Sequence, residues 1–152
     1  MEDLIIDPLV LTVSGCQEYC PHCVEAVRIL KVAGDPPPMT NVGLSNVSNA
    51  VPREMRPLIN RTYCVMLMAA GVDYAIADPL DEQLKEFIRI VNKRDDSTGL
   101  GKAIVKLHDR TVAMEKLTAD DVDMSDPEQV DIFKTVQVLY NDIIYTDSYL
   151  RV

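Results

Sequence analysis

Three short apolar segments alternate with helix-forming stretches, and this order constrains the fold more than any other feature of the chain. The first, residues 4–13, is a nearly unbroken apolar run interrupted by Asp7-Pro8. Such runs suit a parallel strand buried on both faces. Proline cannot donate to a sheet ladder, so the strand is expected to end near Asp7. The second segment, residues 40–48, runs from Thr40 into the polar stretch Gly43-Leu44-Ser45-Asn46-Val47-Ser48. The third, residues 72–77, is closed by Asp78-Pro79. Between them, residues 24–32 carry Val24, Val27, Ile29 and Leu30 mostly on one face of a helix, ended by Gly34 and Pro36. Residues 57–71 predict a second helix, apolar nearly all round and stopped at Gly71. Asp81 caps a third, running to about Asn92. Three strand-loop-helix units in a row imply parallel strands joined by right-handed crossovers.

The rest of the chain reads differently. Residues 93–126 form an insertion-like segment: a polar loop at 94–101, a helix over 102–117 and an acidic loop at 118–126. A final helix is expected over 127–141. The acidic residues near 120–131 read as a solvated face. With 152 residues, 47% of them apolar, the chain can bury a core as one domain, residues 1–152. The formal net charge of −9 argues against unspecific binding to nucleic acid or to an anionic membrane. The longest mainly apolar stretch, residues 64–72, falls far short of the roughly 20 residues that span a bilayer. The first residues, Met-Glu-Asp, carry no basic signal-peptide region, which makes the cytoplasm the expected compartment and reduced thiols the expected state.

Cys16-Gln17-Glu18-Tyr19-Cys20-Pro21-His22-Cys23 stands out. The spacing of Cys16, Cys20 and Cys23 is the C-x3-C-x2-C pattern with which radical-SAM enzymes hold a 4Fe–4S cluster. His22 could instead join the thiolates on zinc, or the thiols could be redox-sensitive or inert. True radical-SAM chemistry is disfavoured, because only two strands follow the motif and no glycine-rich nucleotide segment is present. Cys64, on the apolar helix, reads as a small core hydrophobe, as do Met66, Leu67 and Met68. His108 is isolated and reads as a surface or packing residue.

Several ordered motifs resemble one family. They are Ile6-Asp7-Pro8-Leu9, Gly43-Leu44-Ser45-Asn46-Val47-Ser48, Leu58-Ile59-Asn60-Arg61-Thr62, Met68-Ala69-Ala70-Gly71-Val72-Asp73, Ala75-Ile76-Ala77-Asp78-Pro79 and Tyr145-Thr146-Asp147-Ser148-Tyr149. Together they resemble the pterin-binding methyltransferases, which include the methyltetrahydrofolate:corrinoid/iron–sulfur protein methyltransferases and the folate domain of cobalamin-dependent methionine synthase. The resemblance covers residues 1 to about 90 and the last dozen. It implies a TIM (β/α)8 barrel, of which this α/β chain would supply the C-terminal portion, about three β/α units with parallel strands. The five preceding units of that family have no counterpart here, and the cysteine cluster is not part of its pattern.

The resemblance also implies chemistry. In such barrels functional residues sit at the C-terminal ends of strands, where Asp7, Asn46 and Asp78 are expected. Asp7 would be the pterin anchor, since one carboxylate accepts the parallel N–H donors of a pterin edge in a fork. Asn46 would hydrogen-bond near the methyl-bearing nitrogen and favour its protonated, better-leaving state. Ser45, Ser48, Asn49, Arg56 and Asp78 are further candidates for the pocket. Taken alone, an Asp before Pro is a turn residue and an Asn at such a place a loop cap. The methyl would pass from methyltetrahydrofolate or a related pterin to the corrinoid (cobalamin) of a partner protein. A second polypeptide, or self-association, would complete the barrel. The alternative is a non-catalytic barrel fragment or a metal-binding module using Cys16, Cys20 and Cys23 with Fe–S or zinc. A dihydropteroate synthase-like enzyme fits less well, because the basic residues which that family uses late in the barrel are not matched.

Overall fold

The computed structural model describes residues 3–151. The strands are β1 (Ile5–Ile6), β2 (Met39–Gly43) and β3 (Tyr74–Ile76), and the principal helices are α1 (Cys20–Leu30), α2 (Arg56–Ala70), α3 (Glu82–Lys93), α4 (Gly99–Val112) and α5 (Pro127–Leu139). Short helical turns at Val13–Cys16, Gln17–Tyr19, Leu44–Ser48, Ala119–Asp121 and Tyr149–Arg151 fill the connections. The strands form one parallel sheet in the order β1-β2-β3.

The sequence explains where each element starts and stops. The first strand is only two residues long because Asp7-Pro8 ends the ladder. Helix α1 begins at Cys20, four residues earlier than periodicity places it, because Pro21 sits in its first turn, where a missing N–H costs nothing. Helix α2 ends at Gly71, whose left-handed φ of 95° closes the last turn; a Cβ there would stand 3.3 Å from Lys31 Cγ. Asp81 caps α3 by accepting the Leu84 N–H at 3.0 Å. Thr98 caps α4 through the Gly101 N–H at 2.9 Å, so that helix starts at Gly99 rather than at Lys102 and ends at Val112 rather than at Leu117. The acidic stretch after it holds a reciprocal capping box between Thr118 and Asp121.

Helix α2 is the hub. It packs against α1, α3, α4 and α5, and Ile59, Tyr63, Val65, Met66 and Leu67 are buried along it. Burying one such aliphatic side chain contributes about 1.5–3 kcal/mol, which is why a helix apolar on every side occupies the centre. Cys64 is buried and Met68 half-buried on the same helix. Asp73 ties the sheet to α1: its carboxylate accepts the Thr40 N–H at 2.6 Å and the Thr40 hydroxyl at 3.0 Å, and pairs with Lys31.

The two faces of the middle strand differ in burial. Consecutive parallel strands joined by right-handed crossovers would carry both connecting helices to one face. Burial along β2 alternates accordingly: Thr40 and Val42 are buried, while Met39, Asn41 and Gly43 are half-buried. Register puts Ile5 beside Met39, Tyr74 beside Asn41 and Ile76 beside Gly43. Those three neighbours are 58%, 52% and 66% exposed. This face is open to solvent at those positions, and Ala75, on the opposite face of β3, is exposed as well. The fold is thus α/β, with a small parallel three-stranded sheet and five principal helices among the described residues. No helix among the described residues is long and apolar enough to cross a membrane.

Candidate functional site at the strand ends

The C-terminal ends of the three parallel strands gather the polar residues singled out by the sequence. Asp7 follows β1, the Leu44–Ser48 turn follows β2, and Asp78 follows β3. Neighbouring strands stand about 4.8 Å apart, so the three ends form one shelf. A hydrogen bond from the Thr12 hydroxyl to the Asn49 carbonyl, at 2.5 Å, ties the loop after β1 to the loop after β2.

Asn46 has a specific seat. A Cβ built on Gly43 would lie 2.9 Å from Asn46 Nδ2, so the amide is folded back over the last residue of β2. Gly43 points to the uncovered face, and the Asn46 amide therefore lies on that side of the sheet. A Cβ there would require the amide to move. The Asn46 side chain is exposed and takes no hydrogen bond from the described residues.

Asp7 and Asp78 are built alike. Each opens an Asp-Pro-Leu tripeptide, and each carboxylate accepts the N–H two residues on, Leu9 at 2.8 Å and Leu80 at 2.9 Å. One oxygen of each is therefore engaged in a turn. Both carboxyls are exposed and keep their remaining acceptor positions for a ligand. Asp7 also lies close enough to the Cys23 thiol for its charge to help hold that thiol protonated, after burial, the larger cause.

The other candidates divide. Ser45 and Asn49 are exposed at the shelf. Ser48 is fully buried: its hydroxyl donates to the Ser45 carbonyl at 3.3 Å and accepts from Arg56 Nε at 3.3 Å. It therefore holds the turn and steers Arg56 instead of facing a ligand. Arg56, half-buried at the start of α2, has no carboxylate partner among the described residues. An unpaired guanidinium beside the shelf can take an anionic group.

The shelf is open on the sheet's bare side. A cavity of about 460 Å³ lies elsewhere, between α2, α3, α4 and α5, floored by Leu58, Phe87, Leu100 and Ile132. None of the sequence-derived site residues lines it. The C-terminal motif is structural in placement: Tyr149 is buried against α5 with its hydroxyl 2.8 Å from that of Thr135, and Tyr145 OH donates to Asp147 at 2.8 Å.

Among the described residues, no three or more His, Cys, Asp or Glu side chains are gathered to hold a metal ion. His22 is exposed and packs edge-on to Tyr19 at 6.0 Å, while Cys20 and Cys23 are buried. Sequence reasoning missed two features that shape the shelf, the close approach at Gly43 and the Thr12–Asn49 tie. The first had a signal, a glycine immediately before the polar turn; the second had none. No protein-family model matches the sequence.

Proposed function

We propose that the strand-end shelf binds the pterin of methyltetrahydrofolate or a related methyl-pterin, as part of a methyltransferase that delivers the methyl group to a corrinoid protein. The observation that carries this reading is the exposed Asn46 amide, without a protein hydrogen-bond partner among the described residues and folded over Gly43, one strand away from the exposed carboxylate of Asp7. A carboxylate and an amide so placed match the two ends of the task. Asp7 accepts the parallel N–H donors of the pterin's pyrimidine edge. Asn46 hydrogen-bonds at the methyl-bearing nitrogen and favours its protonated form, which turns it into a leaving group. The corrinoid on the partner protein supplies the nucleophilic metal that takes the methyl. Ser45, Asn49 and Asp78 border the same shelf, and Arg56 stands where an anionic tail would leave it.

The solvent-open row on the sheet supports a barrel-type setting for this site. A (β/α)8 barrel covers the outside of its strands with helices and leaves the inner faces to meet each other. The exposed row Ile5, Tyr74 and Ile76 would then be inner-face residues. With three strands in this chain, the other strands would come from a polypeptide segment outside this sequence.

Isothermal calorimetry with methyltetrahydrofolate tests the reading, alongside methyl transfer to a corrinoid protein. Asp7→Ala is expected to weaken binding by at least tenfold, because charge-assisted hydrogen bonds contribute about 1.5–3 kcal/mol. Asn46→Ala is expected to slow transfer by about 10²–10³-fold while changing affinity much less. Equal binding by wild type and Asp7→Ala would remove the anchor from the account.

A further inference from the structure

The cysteine motif is absorbed by neither the fold nor the strand-end site. All four cysteines are free thiols, but they do not share one environment. Cys64 is alone on α2, and burial pushes its thiol up to about 11. Cys20 and Cys23 are the first and fourth residues of α1, 1% and 4% exposed. Residues three apart on a helix share a face. From the helical rise and radius their Cα atoms are about 5 Å apart, within the range a disulfide spans. The Tyr63 hydroxyl anchors the start of the helix by donating to the Cys20 carbonyl at 2.8 Å. Burial pushes the Cys20 thiol up to about 12, and the neighbouring Cys23 and Cys16 sulfurs add to the effect. Cys16 lies outside α1, with non-helical backbone (φ −139°, ψ 24°) and the 3-10 turn Gln17–Tyr19 between it and the helix, and is half-buried.

We propose that Cys20 and Cys23 form a reversible thiol–disulfide pair within the first turn of α1, oxidised by low-molecular-weight disulfides of the glutathione class. One thiol, as its thiolate, attacks a sulfur of the small disulfide, forming a mixed disulfide and releasing one small thiol. The second then attacks the protein-bound sulfur, closing the Cys20–Cys23 bond and releasing the other small thiol. Two thiols lose two electrons and two protons, and the small disulfide takes up both. Protonated, buried thiols react slowly in this exchange, so the dithiol form persists under reducing conditions and oxidation is gradual.

The test is equilibration of the native chain with a series of reduced and oxidised glutathione mixtures, followed by acid quench, alkylation and mass spectrometry. Two of four thiols are expected to become protected and to be recovered on reduction, with fragmentation placing the bond between Cys20 and Cys23. Cys16→Ser and Cys64→Ser are expected to leave this loss unchanged, and Cys20→Ser and Cys23→Ala to abolish it. Because the wild-type chain alone gives the answer, a poorly folded variant does not obscure it. Four alkylatable thiols across the whole series, a bond that includes Cys16, or thiols masked by zinc or iron in the purified chain would each overturn the proposal.

Discussion

At the scale of single residues, the site rests on short-range sterics. The Asn46 amide occupies the space a Cβ on Gly43 would fill. Gly43→Ala is therefore expected to displace that amide. Methyl transfer should fall by tenfold or more with little change in the urea midpoint, and paired kinetics and denaturation check this. Tyr63 is the reverse case, a buried ring whose hydroxyl bonds the Cys20 carbonyl. Tyr63→Phe leaves that carbonyl with one partner fewer and is expected to cost about 0.5–1.5 kcal/mol in equilibrium unfolding. Asp7 and Asn46 could be placed at strand ends from sequence because Asp-Pro stops a ladder and Gly-Leu-Ser-Asn follows an apolar run. The inward turn of Ser48 could not, since its burial comes from Arg56 closing over it, a contact eight residues away with no periodic signature.

At the scale of elements, helices were legible and their ends less so. Periodicity located α2 and α3 to within a residue or two. It misplaced the start of α1, because the proline that opens the helix resembles a breaker, and the end of α4, because Glu115 and Leu117 continue the pattern past the last helical turn. The carboxylates that staple elements together predict how stability varies with pH. Asp73 is partly desolvated, which alone would raise its pKa, but Lys31 and the Thr40 donors outweigh this and hold it below its ordinary 3.8. Asp81, likewise partly desolvated, is held low by Arg61, 2.8 Å away, and by the α3 N–H groups it caps. A depressed carboxyl stabilises fully above its unfolded pKa, and that contribution is lost as pH falls through the folded value. The urea midpoint is thus expected to be insensitive to these groups between pH 7 and about 5 and to decline below about 4. Asp73→Asn should be less stable at neutral pH and show a shallower acid decline; an unchanged decline would remove Asp73 from this role. Asp81→Ala should cost about 1–2 kcal/mol as a lost cap.

At the scale of the whole molecule, the deciding feature is the bare sheet face. Alternating strands and helices in the sequence imply parallel pairing, and both strand pairs are parallel. The exposure of β3 was not legible, because a strand that reads as apolar is expected to be buried; Tyr74 and Ile76 are apolar yet open to solvent. In the proposed barrel setting they meet the strands of the remaining segment. Ile76→Lys is then expected to change the chain's own stability by no more than about 0.5 kcal/mol, as exposed positions do, while preventing assembly with that segment. Denaturation and sedimentation measured side by side separate the two effects.

The most direct test of the central claim is a nuclear magnetic resonance titration of the chain with methyltetrahydrofolate, which registers even weak binding. The account predicts that the Asn46 side-chain amide and the Leu9 N–H, which reports on Asp7, shift together and saturate with one dissociation constant, and that Asp7→Ala removes both changes. Shifts confined to residues such as Leu58, Phe87 and Ile132 around the interhelical cavity, or none at the ends of β1 and β2, would contradict it.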